Sequence, residues 1–394
     1  MSSQDAALFP VRAVTRGPAH HWFGYYEKSP WDATGRWMLA MEVGFADRAP
    51  TPEDRIRLGR IDLENDNRFE PFAESASWAW QTGCMLQWMP PAFERTVAYN
   101  VREGDRFAAV VHDLDSGEKR TLPRPIFCVT PDGRTALSLS FERLQVTRPG
   151  YGYAGVADKF AGELAPELDG VWRMDMETGE SELVLSLAAL ATAEPRDDMA
   201  GMPQWVNHVQ INTDGTRFGV LHRYRRPSGR GCVTRLFTAN LDGSDVYCLN
   251  PNRMTSHYDW RDAGMLLAWA RTPDSSVDAP EQHYILFRDR TREYEVIGAD
   301  ELTSDGHCSY SPDRRWILSD TYPDKRDSKR TLFLYDPAAS RRVKLGRFLA
   351  PEPYVGDLRC DLHPRWRRDG KAASFDSVHD GTRQLYVADL AGLE

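Results

Sequence analysis

One short phrase recurs through this chain. A polar turn of the type Ser-Pro-Asp or Thr-Asp-Gly appears at Ser29-Pro30-Trp31-Asp32, Met89-Pro90-Pro91, Thr130-Pro131-Asp132-Gly133, Thr213-Asp214-Gly215, Asp262-Ala263-Gly264, Ser311-Pro312-Asp313 and Arg368-Asp369-Gly370. Each copy is followed by an apolar segment of strand character, such as Trp37-Met38-Leu39-Ala40, Phe218-Gly219-Val220-Leu221 or Trp316-Ile317-Leu318-Ser319. A second hairpin signal falls later in the unit, as in Asp113-Leu114-Asp115-Ser116-Gly117 and Asn240-Leu241-Asp242-Gly243-Ser244. Two turns per unit and a period of roughly 40–60 residues describe a four-stranded propeller blade. Seven turns predict an all-β, closed seven-bladed β-propeller that uses residues 1–394 as one domain. The spacing stretches only between Asp132 and Asp214, which predicts an insertion in blade three around residues 141–200. The last unit ends one strand short at Tyr386–Leu390, and a spare strand stands at Phe9–Val14. Pairing the two closes the ring and removes an open sheet edge that would template aggregation.

Composition agrees with a turn-rich β protein, with 29 Gly, 25 Pro and 43 aromatic residues (12 Trp, 15 Tyr, 16 Phe). A net charge of −9 without a basic block argues against a nucleic-acid partner. No apolar run is long enough to span a membrane, and the first residues lack a signal-peptide pattern, so a cytoplasmic location is expected. The six cysteines show no CxxC spacing, which gives neither a zinc knuckle nor a disulfide framework.

Within the repeat, His208, His257, His307 and His363 share one register, seven residues before Gly215, Gly264, Arg314 and Gly370. On the innermost strands of blades four to seven they would face the channel, where blades one to three present Tyr25, Met85 and Ile126. Side chains alternate with period two, which carries Glu27, Gln210, Asp259, Asp305, Ser309, Arg359 and Asp361 to the same face. Imidazoles from separate blades can build a metal or catalytic centre. Asp320 and Asp376 follow His307 and His363 by thirteen residues, an offset suited to holding the second ring nitrogen. The competing reading is a set of structural histidines, each tied to its own blade as in WD-type propellers. The Arg148–Tyr153 stretch reads as a binding loop or an ordinary Ω-loop, and Arg223-Tyr224-Arg225-Arg226 as an exposed turn facing an anion. His20, His21 and Lys28 lie at the mouth or in a solvated loop. His112, His283 and His379 are out of register and read as surface residues.

Over residues 200–390 the chain resembles the oligogalacturonate lyases. The similarity rests on Asn207-His208-Val209-Gln210-Ile211-Asn212, Leu221-His222, Ser256-His257-Tyr258-Asp259-Trp260 and the segment from His363-Pro364-Arg365-Trp366 to Ser377. The resemblance implies a propeller that cleaves uronic-acid oligosaccharides by β-elimination, with a divalent metal, Mn first and Zn or Ca as alternatives. It makes His257, His307 and His363 metal ligands and His208 the base. The family's last blade reads Gln-x-x-His-Pro-His, whereas this chain has Cys360 and Arg365 at the two outer positions. Either Asp361 substitutes as a ligand, or the metal is lost and Arg365 supplies positive charge. In this scheme Tyr25 protonates the leaving oxygen, Arg359 clamps the carboxylate, and Arg365, Arg223, Tyr151 and Tyr153 bind the acidic substrate. Two other classes stay open: a hydrolase using paired carboxylates among Glu27, Asp259, Asp305 and Asp361, and a noncatalytic glycan- or protein-binding propeller.

Overall fold

The computed structural model describes residues 9–226, 231–276 and 281–393. The ends of the expected domain, residues 1–8 and residue 394, lie outside the described residues. The strands form seven four-stranded antiparallel sheets. Blade one runs His20–Trp22, Trp37–Val43, Ile56–Asp62 and Arg68–Ser75; blade four runs Gln204–Ile211, Arg217–Arg225, Cys232–Asn240 and Tyr247–Asn250. The others follow the same inner-to-outer order.

Each repeated turn lies between the first and second strands of its blade, and in blades three, four, six and seven the aspartate explains why. Asp132, Asp214, Asp313 and Asp369 each accept a hydrogen bond from the backbone N–H two residues on, at 2.9–3.1 Å. Such Asx-turns fold the chain back locally. The residue that follows the aspartate must then take a left-handed backbone. Gly133, Gly215 and Gly370 do so with φ of 75–78°, and Arg314 takes the same conformation at 63°. At position 133 a Cβ would meet the Pro90 carbonyl oxygen at 2.4 Å, so only glycine fits there.

The seventh blade is completed by the other end of the chain. Val11, Arg12 and Ala13 pair with Ala388, Val387 and Tyr386, and Val14 N–H donates to the Leu385 carbonyl at 2.8 Å. The apolar core is divided into clusters between and within blades. The largest joins Trp22 and Leu39 of blade one to Leu86 and Val97 near blade two and to Leu385 of blade seven.

The stretch 141–200 contains helix α1 (Phe141–Thr147), helix α2 (Leu187–Ala193), and two of the blade-three strands, Gly170–Asp175 and Ser181–Ser186. No helix among the described residues is long and apolar enough to cross a membrane.

Removing residues 1–16 strips the closing strand together with the buried side chains of Phe9 and Val14. Two such side chains contribute about 1.5–3 kcal/mol each, and their loss also opens a sheet edge. The truncated protein is expected to melt several degrees lower and to aggregate; an unchanged melting curve and solubility would place the closure elsewhere.

Candidate functional site

The four in-register histidines converge. Ring centroids of His257 and His307 are 4.0 Å apart, and those of His307 and His363 are 4.3 Å apart. His208 completes the group across two tyrosines: Tyr25 lies 5.0 Å from His208 and 5.1 Å from His363, while Tyr26 lies 5.4 Å from His208 and 5.3 Å from His307. The Tyr26 hydroxyl is pinned in blade five, donating to the Tyr258 carbonyl at 2.8 Å and accepting from its N–H at 2.9 Å. Met85 and Ile126 are buried at the matching register of blades two and three.

Only His208 and His257 lie within strands. His307 and His363 precede the two-residue strands Ser309–Tyr310 and Arg365–Trp366. His208, His363 and Met85 also have left-handed backbone, with φ of 50°, 43° and 56°, and the ladder of blade four shifts register at His208. This conformation costs a non-glycine residue free energy and is concentrated at functional sites. It turns the side chain inward at one point of an otherwise extended segment.

Hydrogen bonds orient the rings. His307 Nδ1 donates to the Asp320 carboxylate at 2.9 Å, as the thirteen-residue offset predicts. His363 does not use Asp376; its Nδ1 donates to the Gly24 carbonyl of blade one at 2.9 Å. Asp376 is taken by Arg365, whose guanidinium reaches it at 2.8 and 3.2 Å and also donates to the Gly24 and Tyr25 carbonyls. With both Nδ1 positions committed, His307 and His363 leave their Nε2 atoms buried and without a hydrogen-bond partner. An Asp361 carboxylate oxygen joins them, and one donor atom from each of the three residues lies within 4.8 Å of the others. Burial opposes charge on Asp361, but Arg330 and Arg359, both at 2.8 Å, outweigh it and hold the carboxyl well below its ordinary range. Burial, with His307 beside it, keeps His363 neutral far below pH 6.5. Two imidazole lone pairs and a carboxylate form a donor set suited to a divalent transition metal.

His257 is built differently. Its Nδ1 lies 3.0 Å from an Asp305 carboxylate oxygen and 3.1 Å from the Ser256 hydroxyl. Burial and the neighbouring His307 lower its pKa, and Asp305 partly restores it. His208 stacks on Tyr258 at 4.3 Å, and neither of its nitrogens finds a partner. Burial holds it neutral.

The other expected residues divide between this centre and the frame around it. Arg359 bridges Asp361 and the Tyr151 hydroxyl, the latter at 2.8 Å, and Tyr151 sits 6.1 Å from Tyr25. Arg223 is buried on the second strand of blade four, opposite Trp205, and its Nε has no hydrogen-bond partner. Tyr153 stacks on Phe141 at 4.1 Å beneath the insertion, and its hydroxyl accepts from Asn100. Arg365 is 1% exposed and fully engaged with Asp376 and blade one. Burial pushes the Cys360 thiol up to about 11, so it stays protonated.

Several surface expectations are corrected. His112 is buried against Tyr99 and Phe72. His379 is half-buried on Tyr386 and Phe348. His21 is bonded to Glu42 and Gln384 and does not line the mouth. Residues missed in the sequence are Arg330, Tyr26 and Gly24. Arg330 comes from the third strand of blade six and Gly24 acts through its backbone, so neither carries a register signal; Tyr26 stands beside Tyr25 and was the one within reach.

No protein-family model and no curated protein matches the sequence. Solved structures do. The oligogalacturonate lyase of Vibrio parahaemolyticus superposes with a TM-score of 0.68 and 15% identity, covering 98% of this chain and 94% of that one. An oligogalacturonate lyase in complex with manganese gives 0.70 and 16%, covering 99% and 95%. This is the fold of oligogalacturonate lyase. A prolyl endopeptidase matches less well, at a TM-score of 0.55 and 11% identity over 94% of this chain and 47% of that one. The likeness to the lyases is therefore one of whole-chain architecture. Of the two positions at which the resemblance places further ligands, Cys360 is a buried thiol and Arg365 is engaged at the blade-one junction, while Asp361, next to Cys360, stands with the imidazole nitrogens.

The Arg365–Asp376 pair links blades seven and one from a buried position. Asp376→Ala leaves Arg365 as an uncompensated buried charge and is expected to cost about 3–5 kcal/mol. Urea unfolding measures this; a loss below about 1 kcal/mol would mean the pair carries little of the junction.

Proposed function

We propose that this chain is a lyase that cleaves uronic-acid-containing oligosaccharides by β-elimination, with a divalent cation held by His307, His363 and Asp361. The observation that carries this reading is the pair of oriented, unpartnered imidazole Nε2 atoms beside a buried carboxylate. Mixed nitrogen and oxygen donors suit Mn or Zn better than Ca, which takes six to eight oxygens. An ion held there would supply positive charge to neutralise a substrate carboxylate and to offset the negative charge that develops when the α-proton leaves.

The remaining residues supply proton transfer and orientation. The family resemblance makes His208 the base and His257 a ligand; the geometry supports exchanging these two roles. His257 is neutral and has a carboxylate behind it, so its Nε2 accepts a proton while Asp305 steadies the Nδ1–H. His208 is enclosed by Tyr25, Tyr26 and Tyr258 and has no carboxylate partner. Burial raises the Tyr25 phenol far above 10, which keeps it protonated and able to donate to the departing oxygen. Arg359 and Arg223 add positive charge for an acidic chain. A hydrolase would need a free carboxylate pair, whereas each of the four candidates is already engaged through at least one oxygen. Asp361 is held by arginines, Asp305 by His257, Asp259 by Gln210 and the Tyr310 N–H, and Glu27 by Lys28.

The test combines turnover with metal analysis. Acidic uronide oligomers should yield an unsaturated product absorbing in the near ultraviolet. His257→Ala should reduce turnover by roughly 10²–10⁴-fold while retaining metal, whereas His307→Ala should lose metal and activity together, as chelation does. If His208→Ala is inactive and metal-replete while His257→Ala loses metal, the two roles revert to those the resemblance implies. Absence of unsaturated product from every acidic oligomer would end the lyase reading.

A further inference from the structure

A second cavity, lined by none of the histidines, opens between the blade-two hairpin around Asp105–Phe107 and the insertion of blade three. Its volume is about 630 Å³, within the range that holds a small organic ligand. Its wall contains an aromatic platform: the Arg124 guanidinium stacks over the Trp172 ring, 3.3 Å from the ring centre. Arg124 makes no side-chain hydrogen bond among the described residues, so its donors remain available.

Opposite charges meet it without pairing. Asp169 is 95% buried; its Oδ1 accepts from the Gly170 N–H at 2.8 Å, and its Oδ2 has no partner. Glu142, in the first turn of α1, is the second carboxyl of the wall. Burial raises both, Asp169 to about 6; Glu142 adds to the rise of Asp169, and Asp158 adds to that of Glu142. The backbone is shaped to present these groups. The strand is bulged between Val171 and Trp172, and a Cβ on Gly170 would meet the Leu185 carbonyl at 2.1 Å. Bulges of this kind re-aim a side chain next to a site.

Charge selects the ligand. Three acidic residues (Asp105, Glu142, Asp169) and three basic ones (Arg106, Arg124, Lys159) line the cavity, so it offers no net field to an ion. What it offers is planar donors and acceptors around apolar surface from Phe107, Phe160 and Trp172. A ligand satisfying all of these carries hydroxyl groups, which both donate and accept, on a ring with apolar C–H faces. We propose that this cavity binds a neutral glycan segment, with Trp172 and Arg124 as the platform and Asp169 and Glu142 accepting from sugar hydroxyls. This separates it from the centre of the ring, where Arg223 and Arg359 favour an acidic ligand, and it does not depend on the elimination chemistry proposed there.

Ligand-observed saturation-transfer NMR on the full chain tests this with neutral tetrasaccharides of galactose, glucose, xylose and arabinose. At least one should bind, and a galacturonate oligomer should not displace it. Trp172→Ala and Asp169→Asn should each weaken binding at least tenfold. Melting curves verify that the variants fold; should Trp172→Ala fail to, Asp169→Asn and Arg124→Gln decide. The proposal is overturned if none of the four sugars binds, if the folded variants bind like the wild type, or if the acidic oligomer competes.

Discussion

Three residue pairs between Val11–Ala13 and the strand Gln384–Asp389 join the two ends of the chain, and the centre of the molecule is assembled through that joint. The tyrosines come from blade one and His363 from blade seven, which are neighbours only because the ring is closed. The Gly24 carbonyl that orients His363, and the bonds from Arg365 to Gly24 and Tyr25, cross the same seam. Stability and site geometry are thus coupled at one place. A propeller left open there would keep most of its sheets and lose the alignment of its imidazoles.

The centre also concentrates costs that the surrounding sheets must cover. His208 and His363 adopt left-handed backbone, and Asp361, Asp320 and Arg365 are nearly inaccessible to solvent. Buried charges are tolerated when paired and hydrogen-bonded, and each of these is. Among the buried atoms left without a hydrogen-bond partner are the inward imidazole nitrogens, Nε2 of His307 and His363 and both nitrogens of His208. Buried imidazole nitrogens that meet at one point with no partner there are organised for something that arrives from outside.

Architecture was legible in the sequence because the signal was local and repeated. An aspartate that caps its own turn reads the same way in blades three, four, six and seven, and among these Arg314 stood out as the one residue replacing a glycine. The convergence of the four histidines followed from their common register. What could not be read was pairing between blades. The thirteen-residue rule worked for His307 and Asp320 and failed for His363, because the Gly24 main-chain oxygen of blade one took its ring nitrogen and Arg365 of its own blade took Asp376. Arg330 was missed for the same reason. Tyr153 and Arg365 were expected to face substrate from their chemistry alone, whereas packing against Phe141 and pairing with Asp376 decide their surroundings. His112 was misread because a histidine out of register has no local sign of burial.

Met85 has the inward-turning backbone of His208 and His363 but carries no polar group. In these three blades the bend that presents a side chain to the axis does not depend on the side chain presented, and the imidazole is a separate choice made upon it. Such a bend acts as a socket whose contents can change singly. Reactivity in such a ring can be gained, moved or lost by one substitution at a time, without asking the scaffold to fold differently.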